Sequence, residues 1–96
     1  MDAATFERLG DSTLRWITNY LDRAETLPVA STVEPGSVRR AFPVSPPEHG
    51  GSIEDLLDVV DEKIMPGLTH WQSPNWFAYF PCNHSFPSIL GEMLAA

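Results

Sequence analysis

The residues best suited to chemistry lie between Met65 and Pro87, where aromatic rings and imidazoles are concentrated. Six of the ten aromatic residues of this 96-residue chain, and two of its three histidines, fall within these 23 positions. Four prolines interrupt the stretch and prevent one continuous helix, because proline lacks the backbone N–H that the helix needs. A rigid, irregular, ring-rich loop of this kind predicts a pocket wall or an interface that contacts a flat molecule.

The single cysteine, Cys82, suggests a different chemistry, in which a thiolate acts as nucleophile. Such a site needs a base within hydrogen-bond reach and a third group that orients the base. His84 and His70 are the candidate bases. Residues two apart in a proline-bounded loop rarely reach this geometry and no orienting group is evident, so covalent catalysis by Cys82 is the lesser alternative.

The composition of the chain excludes two classes of partner. A net charge of −7 with only six basic residues leaves no basic stripe to neutralise phosphates, so neither nucleic acid nor an anionic membrane is expected to bind. The chain has no run of about 18 apolar residues and no basic region followed by an apolar stretch at its N-terminus, so we expect neither a membrane span nor a signal peptide. An acidic protein with one cysteine fits the reducing cytoplasm, which is the predicted location.

Three helices are expected to position the aromatic loop, and the predicted fold class of the segment is mainly α. Asp2 and Ser52 are the predicted N-caps of the first two helices, and Pro87 lies in the first turn of the third. The predicted segments are a helix within 1–27, a proline-rich linker over 28–51, a helix over 52–65, the aromatic loop over 66–84 and the start of a third helix over 85–96.

Each predicted helix carries an apolar stripe at helical spacing. The linker supplies little to cover these stripes, so we expect the isolated segment to fold poorly or to self-associate. The last pattern breaks off in apolar helix formers at Ala96, so we also expect the polypeptide to continue. The stripes are Phe6, Leu9, Trp16, Ile17, Tyr20 and Leu21; Ile53, Leu56, Leu57, Val60 and Ile64; and Phe86, Ile89, Leu90, Met93 and Leu94.

Four carboxylates on the second helix raise the question of a metal site. They are more simply the solvated face of an amphipathic helix, so no metal ligand is predicted. Lys63, the one lysine of the chain, is expected to be exposed on that helix and to have no catalytic role. The carboxylates are Asp55, Asp58, Asp61 and Glu62.

Several uncommon residues also occur in an order that resembles one enzyme family. The matching segments are Val33–Gly36, Met65–Gly67, Thr69–Pro74, Phe77–Pro81 and Phe86–Leu94. Together they resemble the N-terminal region of the pyridoxal-phosphate-dependent aromatic L-amino acid decarboxylases. The resemblance covers the chain from about Phe6 to Ala96, although it does not cover a whole enzyme.

The resemblance implies a larger parent protein of the α/β class, with the pyridoxal-phosphate-dependent transferase fold of type I. It implies pyridoxal 5'-phosphate as the cofactor, bound by the remainder of the polypeptide, and a homodimer whose N-terminal helical arm embraces the second subunit. The implied reaction releases CO2 from tyrosine, DOPA, tryptophan or phenylalanine and gives an arylalkylamine. Some members of the family couple decarboxylation to oxidative deamination, so this choice stays open.

The same resemblance assigns the substrate-binding residues to the aromatic loop. Trp71, Tyr79, Phe80 and Pro81 match positions that line the space of the substrate's aromatic side chain, with simple core packing as the alternative for each. Cys82 stands where the animal enzymes often have threonine, near the substrate or the cofactor phosphate, and a thiol is a poorer hydrogen-bonding group. The family's catalytic lysine and the other cofactor-binding residues lie further along its chain, so no catalytic or cofactor-binding residue is otherwise expected here.

A second interpretation belongs to a different functional class. The chain could be a stand-alone helical interaction module, in which the apolar stripes bind a partner helix and the aromatic loop supplies most of the binding energy. The length of the natural protein discriminates between the two interpretations, because a polypeptide that ends at Ala96 would favour the interaction module.

Overall fold

The computed structural model describes residues 1–79 and 84–96. Helices α1 (Ala3–Arg23), α2 (Ser37–Arg40), α3 (Ile53–Val59) and α4 (Phe86–Ala95) are its α-helical elements. No strand occurs in these residues, which confirms the mainly α class for this part of the chain. Among these residues, no helix has both the length and the apolar character that a membrane crossing requires. Phe80, Pro81 and Cys82 lie outside the described residues, so what was predicted for them stays a prediction.

Side-chain caps define where the three longer helices begin. Asp2 accepts a hydrogen bond from the Thr5 backbone N–H at 2.7 Å, and this bond lowers the pKa of the Asp2 carboxyl. Ser52 caps α3 and Ser85 caps α4, each in a reciprocal pair with the residue three positions later. A short 3₁₀ turn, Ala24–Thr26, follows α1.

The helix that begins with α3, which was predicted as the second helix over 52–65, changes its winding partway along. After α3 the chain continues as a π-helical turn, Val60–Ile64, and then as a 3₁₀ turn, Met65–Gly67. A π turn holds more residues than an α turn, so the side chains beyond it are rotated away from the positions that a regular helix would give them.

Asp61 is exposed, in agreement with its assignment to the solvated face of the helix, but it is not free of protein contacts. It accepts hydrogen bonds from the Trp16 indole N–H at 3.0 Å and from the Arg23 guanidinium at 2.8 Å, and so joins α1 to the π turn. Arg8 and Glu54 form a second ion pair between α1 and α3. Leu56, predicted to be buried, is 57% exposed.

Lys63 was expected to be exposed, and this prediction is wrong. Its side chain is half-buried, and its amine lies over the Phe42 ring at 5.6 Å from the ring centroid. A cation over an aromatic face is attracted by the negative face of the ring. The segment predicted as an extended linker therefore folds back onto the second helix.

That segment also contains structure of its own. Gly36 adopts a φ of 82°, a left-handed conformation that favours glycine, and α2 follows it directly. Val38 of α2 packs against Gly67, where a Cβ atom would lie 2.4 Å from the Val38 Cγ2 atom. Ser31 also donates a hydrogen bond to the Pro66 carbonyl at 3.2 Å. The linker thus lies across the start of the aromatic loop.

A buried imidazole connects α1 to the same loop. His70 is only 2% exposed, and its Nδ1 atom lies 3.1 Å from the Tyr20 hydroxyl. Burial lowers the pKa of His70, the positive charge of Arg23 lowers it further, and a hydrogen bond with the Met65 backbone opposes both effects. The fold therefore favours the neutral imidazole.

We expect Gly67→Ala to destabilise the full-length protein by about 1–3 kcal/mol, because the new methyl group must displace Val38 or the backbone. The matched control is Gly50→Ala, since a Cβ atom at Gly50 has no neighbour within 4 Å. Urea unfolding of both variants measures the difference. Equal midpoints for Gly67→Ala and Gly50→Ala would show that the packing of Val38 on Gly67 is loose.

The lowered pKa of His70 predicts that the free energy of unfolding falls on acidification. Above about pH 6.5 both states are neutral at this site, whereas below it the unfolded chain takes up a proton that the folded chain resists. The urea midpoint is measured from pH 8 to pH 5 in steps of about one pH unit. We expect it to fall less steeply with decreasing pH in His70→Asn than in the wild type. His49→Asn removes an exposed imidazole and should keep the wild-type slope. Identical slopes in all three proteins would contradict the prediction.

Candidate functional site

Three aromatic rings come together in the loop that precedes α4. Trp71 stacks on Trp76, with ring centroids 5.7 Å apart and planes inclined by 12°. The Tyr79 ring lies 6.1 Å from each indole. We call Trp71, Trp76 and Tyr79 the aromatic cluster. Each of its rings contacts the other two, at distances typical of favourable aromatic pairs.

The aromatic cluster leaves part of its surface open. Trp71 is 48% exposed and Tyr79 is 79% exposed, whereas Trp76 is half-buried beneath them. Exposed rings that are already stacked offer apolar area whose conformation is fixed before a ligand arrives. The cluster can therefore contact a planar apolar group with little further loss of side-chain entropy.

Successive turns fix the backbone that carries these rings. The Ser73 N–H donates to the His70 carbonyl and the Trp76 N–H donates to the Ser73 carbonyl, both at 3.0 Å. Tyr79 has a φ of 61°, a left-handed conformation that costs a residue with a Cβ atom about 1–2 kcal/mol. The loop maintains this strained residue at the edge of the cluster, a pattern often seen at functional sites.

Two neighbouring elements hold the loop from outside. The His70 N–H donates to the Val29 carbonyl at 2.9 Å, and the His70 ring contacts Tyr20 of α1. The Met65 backbone lies close enough to the ring to oppose, by hydrogen bonding, the lowering of the His70 pKa. Burial raises the pKa of the Tyr20 hydroxyl, which keeps it a neutral donor for the imidazole. His70, one of the two candidate bases for a cysteine nucleophile, thus has contacts that hold the loop in place.

The structure brings together two of the predicted substrate-binding residues, Trp71 and Tyr79. It adds Trp76, which was not predicted as a site residue. Five positions separate Trp71 from Trp76 in a loop bounded by prolines, and this recurrence of indoles was the available signal. Phe77 is 91% exposed and takes no part in the cluster. The other assigned residues, Phe80, Pro81 and Cys82, belong to the part of the chain that is not described.

The second candidate base for a thiolate, His84, lies on the surface. Its Nδ1 atom is 3.3 Å from the Gln72 side-chain nitrogen, so the Gln72 amide is placed to donate to it. Within residues 1–79 and 84–96, no three side chains of the metal-binding types come together as ligands would.

The described residues do not form a binding site for pyridoxal phosphate. Lys63 is the one lysine, and it borders a cavity of about 170 Å³ together with Val38 and Pro66. Ligand pockets in proteins usually measure about 300–1,000 Å³. The amine faces the Phe42 ring, which supplies no hydrogen-bonding group for a phosphate. Lys63 therefore has no part in the reaction proposed below.

Comparison with known proteins gives the affiliation of the chain. The family model described as the pyridoxal-dependent decarboxylase conserved domain matches residues 35–96. Tyrosine decarboxylase 2 of Narcissus pseudonarcissus is 45% identical over 96 residues, which make up 100% of this chain and 19% of that protein. Phenylacetaldehyde synthase of Petunia hybrida is 48% identical over 96 residues, again 100% of this chain and 19% of the relative.

The fold of the segment is similar to that of a solved relative. The crystal structure of Rhodiola rosea 4-hydroxyphenylacetaldehyde synthase matches with a TM-score of 0.92 and 45% identity, over 98% of this chain and 20% of that one. The chain spans about one fifth of the length of the relatives it matches. Because the family model matches more than half of its residues, the chain belongs to the family of pyridoxal-dependent decarboxylases, in agreement with the resemblance of its motifs.

Proposed function

We propose that the full-length protein is a pyridoxal-phosphate-dependent enzyme that releases CO2 from an aromatic L-amino acid. The observation that carries this proposal is the open, prestacked aromatic cluster in a chain of the pyridoxal-dependent decarboxylase family. Family membership favours an enzyme over a stand-alone interaction module. The cofactor would be bound by the remainder of the polypeptide.

The aromatic cluster supports an aromatic substrate on physical grounds. An edge-to-face or offset contact between two rings contributes about 0.5–1.5 kcal/mol beyond the burial of their surface. Trp71 and Tyr79 present rings but no charged group, so they suit the side chain of an amino acid rather than its carboxylate. Their role is to bind and orient the substrate, and a correctly held bond reacts faster than a mobile one.

The product remains to be chosen between an amine and an aldehyde. Simple decarboxylation replaces the carboxylate by a proton and gives an arylalkylamine. Coupling to oxidation by O2, with addition of water, instead gives an aldehyde and releases ammonia, CO2 and hydrogen peroxide. The two relatives carry one name of each kind at 45% and 48% identity, so overall similarity does not discriminate between these outcomes. We propose the amine as product, with the aldehyde as alternative.

An apolar groove on the other side of α1 supports a homodimer. The groove has a volume of about 460 Å³ and lies between α1, the start of α3, and α4. Phe6 and Met93 line it and are both exposed. We propose that a second subunit covers this groove. The groove is lined by Met1, Phe6, Leu9, Gly10, Thr13, Leu14, Ile17, Ile53, Ile89 and Met93.

We also propose that the protein works in the cytoplasm. The acidic charge of the chain and its single cysteine support this location.

We expect Trp71→Ala in the full-length enzyme to raise KM for aromatic amino acids roughly tenfold and to lower kcat, without loss of the cofactor. The wild type and the variant are assayed with tyrosine, DOPA, tryptophan and phenylalanine for CO2, amine, aldehyde and ammonia. Phe77→Ala is the matched control, because it removes a ring of the same loop that lies outside the cluster. A wild type inactive on all four substrates, or equal kinetics in Trp71→Ala and the wild type, would contradict the proposal.

We expect Phe6→Glu to weaken the homodimer at least tenfold, because it places a charge in the apolar groove. Val44→Glu introduces the same charge on an exposed apolar residue outside the groove and should leave the dimer unchanged. Sedimentation velocity over a dilution series measures both dissociation constants. A wild-type monomer at micromolar concentration would rule out this interface.

A further inference from the structure

We propose that Tyr20 and His70 form a positioning pair through which α1 sets the place of Trp71, and with it the preference of the enzyme among aromatic side chains. This inference rests on the proposed function, because it assigns a determinant of specificity to the same site. Neither residue contacts the substrate in the proposal. Both act through the backbone that carries Trp71.

The contact between the two residues is specific. The Tyr20 hydroxyl lies 3.1 Å from the His70 Nδ1 atom, across 50 positions of sequence, and the two rings are 5.7 Å apart at their centroids. The lowered pKa of His70 favours the neutral imidazole, in which one ring nitrogen donates and the other accepts, so the Nδ1 atom can accept from the Tyr20 hydroxyl. At 2% exposure, His70 has little water to replace this partner.

The pair is attached directly to the aromatic cluster. Trp71 follows His70 in the chain, and the His70 peptide groups bond to Val29 on one side and to Ser73 on the other, at 2.9 and 3.0 Å. A displacement of the imidazole therefore moves the backbone from which the Trp71 indole extends. Since Trp71 stacks on Trp76 and Tyr79, the whole cluster responds to that displacement.

Tyr20 is itself held in place by α1. Its ring stacks on Trp16 with centroids 5.8 Å apart and planes inclined by only 3°, and the Trp16 indole is hydrogen-bonded to Asp61. The hydroxyl thus acts from a fixed position on the helix, and the loop adapts to it. Because the ring is held by stacking, loss of the hydroxyl oxygen alone removes the contact with His70 and leaves the packing of the ring intact.

The test uses variants of the full-length enzyme that change one residue of the pair at a time. Tyr20→Phe keeps the ring and removes the hydroxyl, and we expect it to raise KM for the preferred substrate roughly two- to tenfold. We also expect it to change the ratio of kcat/KM between tyrosine and tryptophan, whose rings differ in size. Thr18→Val is the matched control, since the Thr18 hydroxyl donates to the Leu14 carbonyl of its own helix.

Two amides at position 70 separate positioning from simple stability. His70→Asn places an amide close to the original Nδ1 position and can still pair with Tyr20, whereas the amide of His70→Gln lies near the position of the other ring nitrogen and loses this pairing. We expect His70→Asn to keep the wild-type substrate ratio and His70→Gln to shift it as Tyr20→Phe does. The double variant Tyr20→Phe/His70→Gln should show no further shift, because both changes remove one interaction.

A second measurement does not depend on turnover. Stacked indoles give a coupled circular-dichroism signal, and the contribution of Trp71 and Trp76 is identified by its loss in Trp76→Phe. We expect Tyr20→Phe to reduce this signal and Thr18→Val to preserve it. An unchanged signal and an unchanged substrate ratio in Tyr20→Phe would overturn the inference, even if the melting temperature fell. A wild type without activity would overturn the proposed function and, with it, the assignment of specificity.

Discussion

The arrangement of this segment depends on the burial of one imidazole. The His70 ring bonds to Tyr20 of α1, and the Met65 backbone acts on its pKa by hydrogen bonding. The His70 peptide groups bond to Val29 of the linker and to Ser73 of the aromatic loop. A buried polar ring is favourable only if its hydrogen bonds are satisfied, since an unpaired donor or acceptor costs about 1–3 kcal/mol. Burial of the ring therefore fixes Tyr20 of α1 against the loop, while the peptide bonds to Val29 and Ser73 fix the backbone that carries the next residue, Trp71.

The sequence was sufficient wherever structure depends on neighbouring residues. Asp2, Ser52 and Ser85 start helices because their side chains reach backbone groups three positions ahead, and such spacing is visible in the sequence. Trp71 and Tyr79 were assigned through the resemblance of their motif, and the structure places their rings in contact.

The features that were not predicted depend on contacts between distant residues. The π turn at Val60–Ile64 has no local signature, and Asp61 within it bonds to Trp16 and Arg23, about 40 positions away. Lys63 is covered by Phe42 because α2 packs on Gly67, a contact between positions about 30 residues apart. Propensity and periodicity describe a helix by itself, whereas tertiary packing decides which of its faces becomes solvated.

The contact of Val38 with Gly67 has a consequence for how this segment can vary among related proteins. The Val38 side chain occupies the volume that a side chain at position 67 would need, so the size allowed at either position depends on the residue at the other. Residues in contact have non-additive effects on stability, whereas distant residues usually have additive ones. A larger residue at position 67 is thus expected to persist in evolution only after position 38 has become smaller. The order of the two replacements, and not only their identity, is constrained.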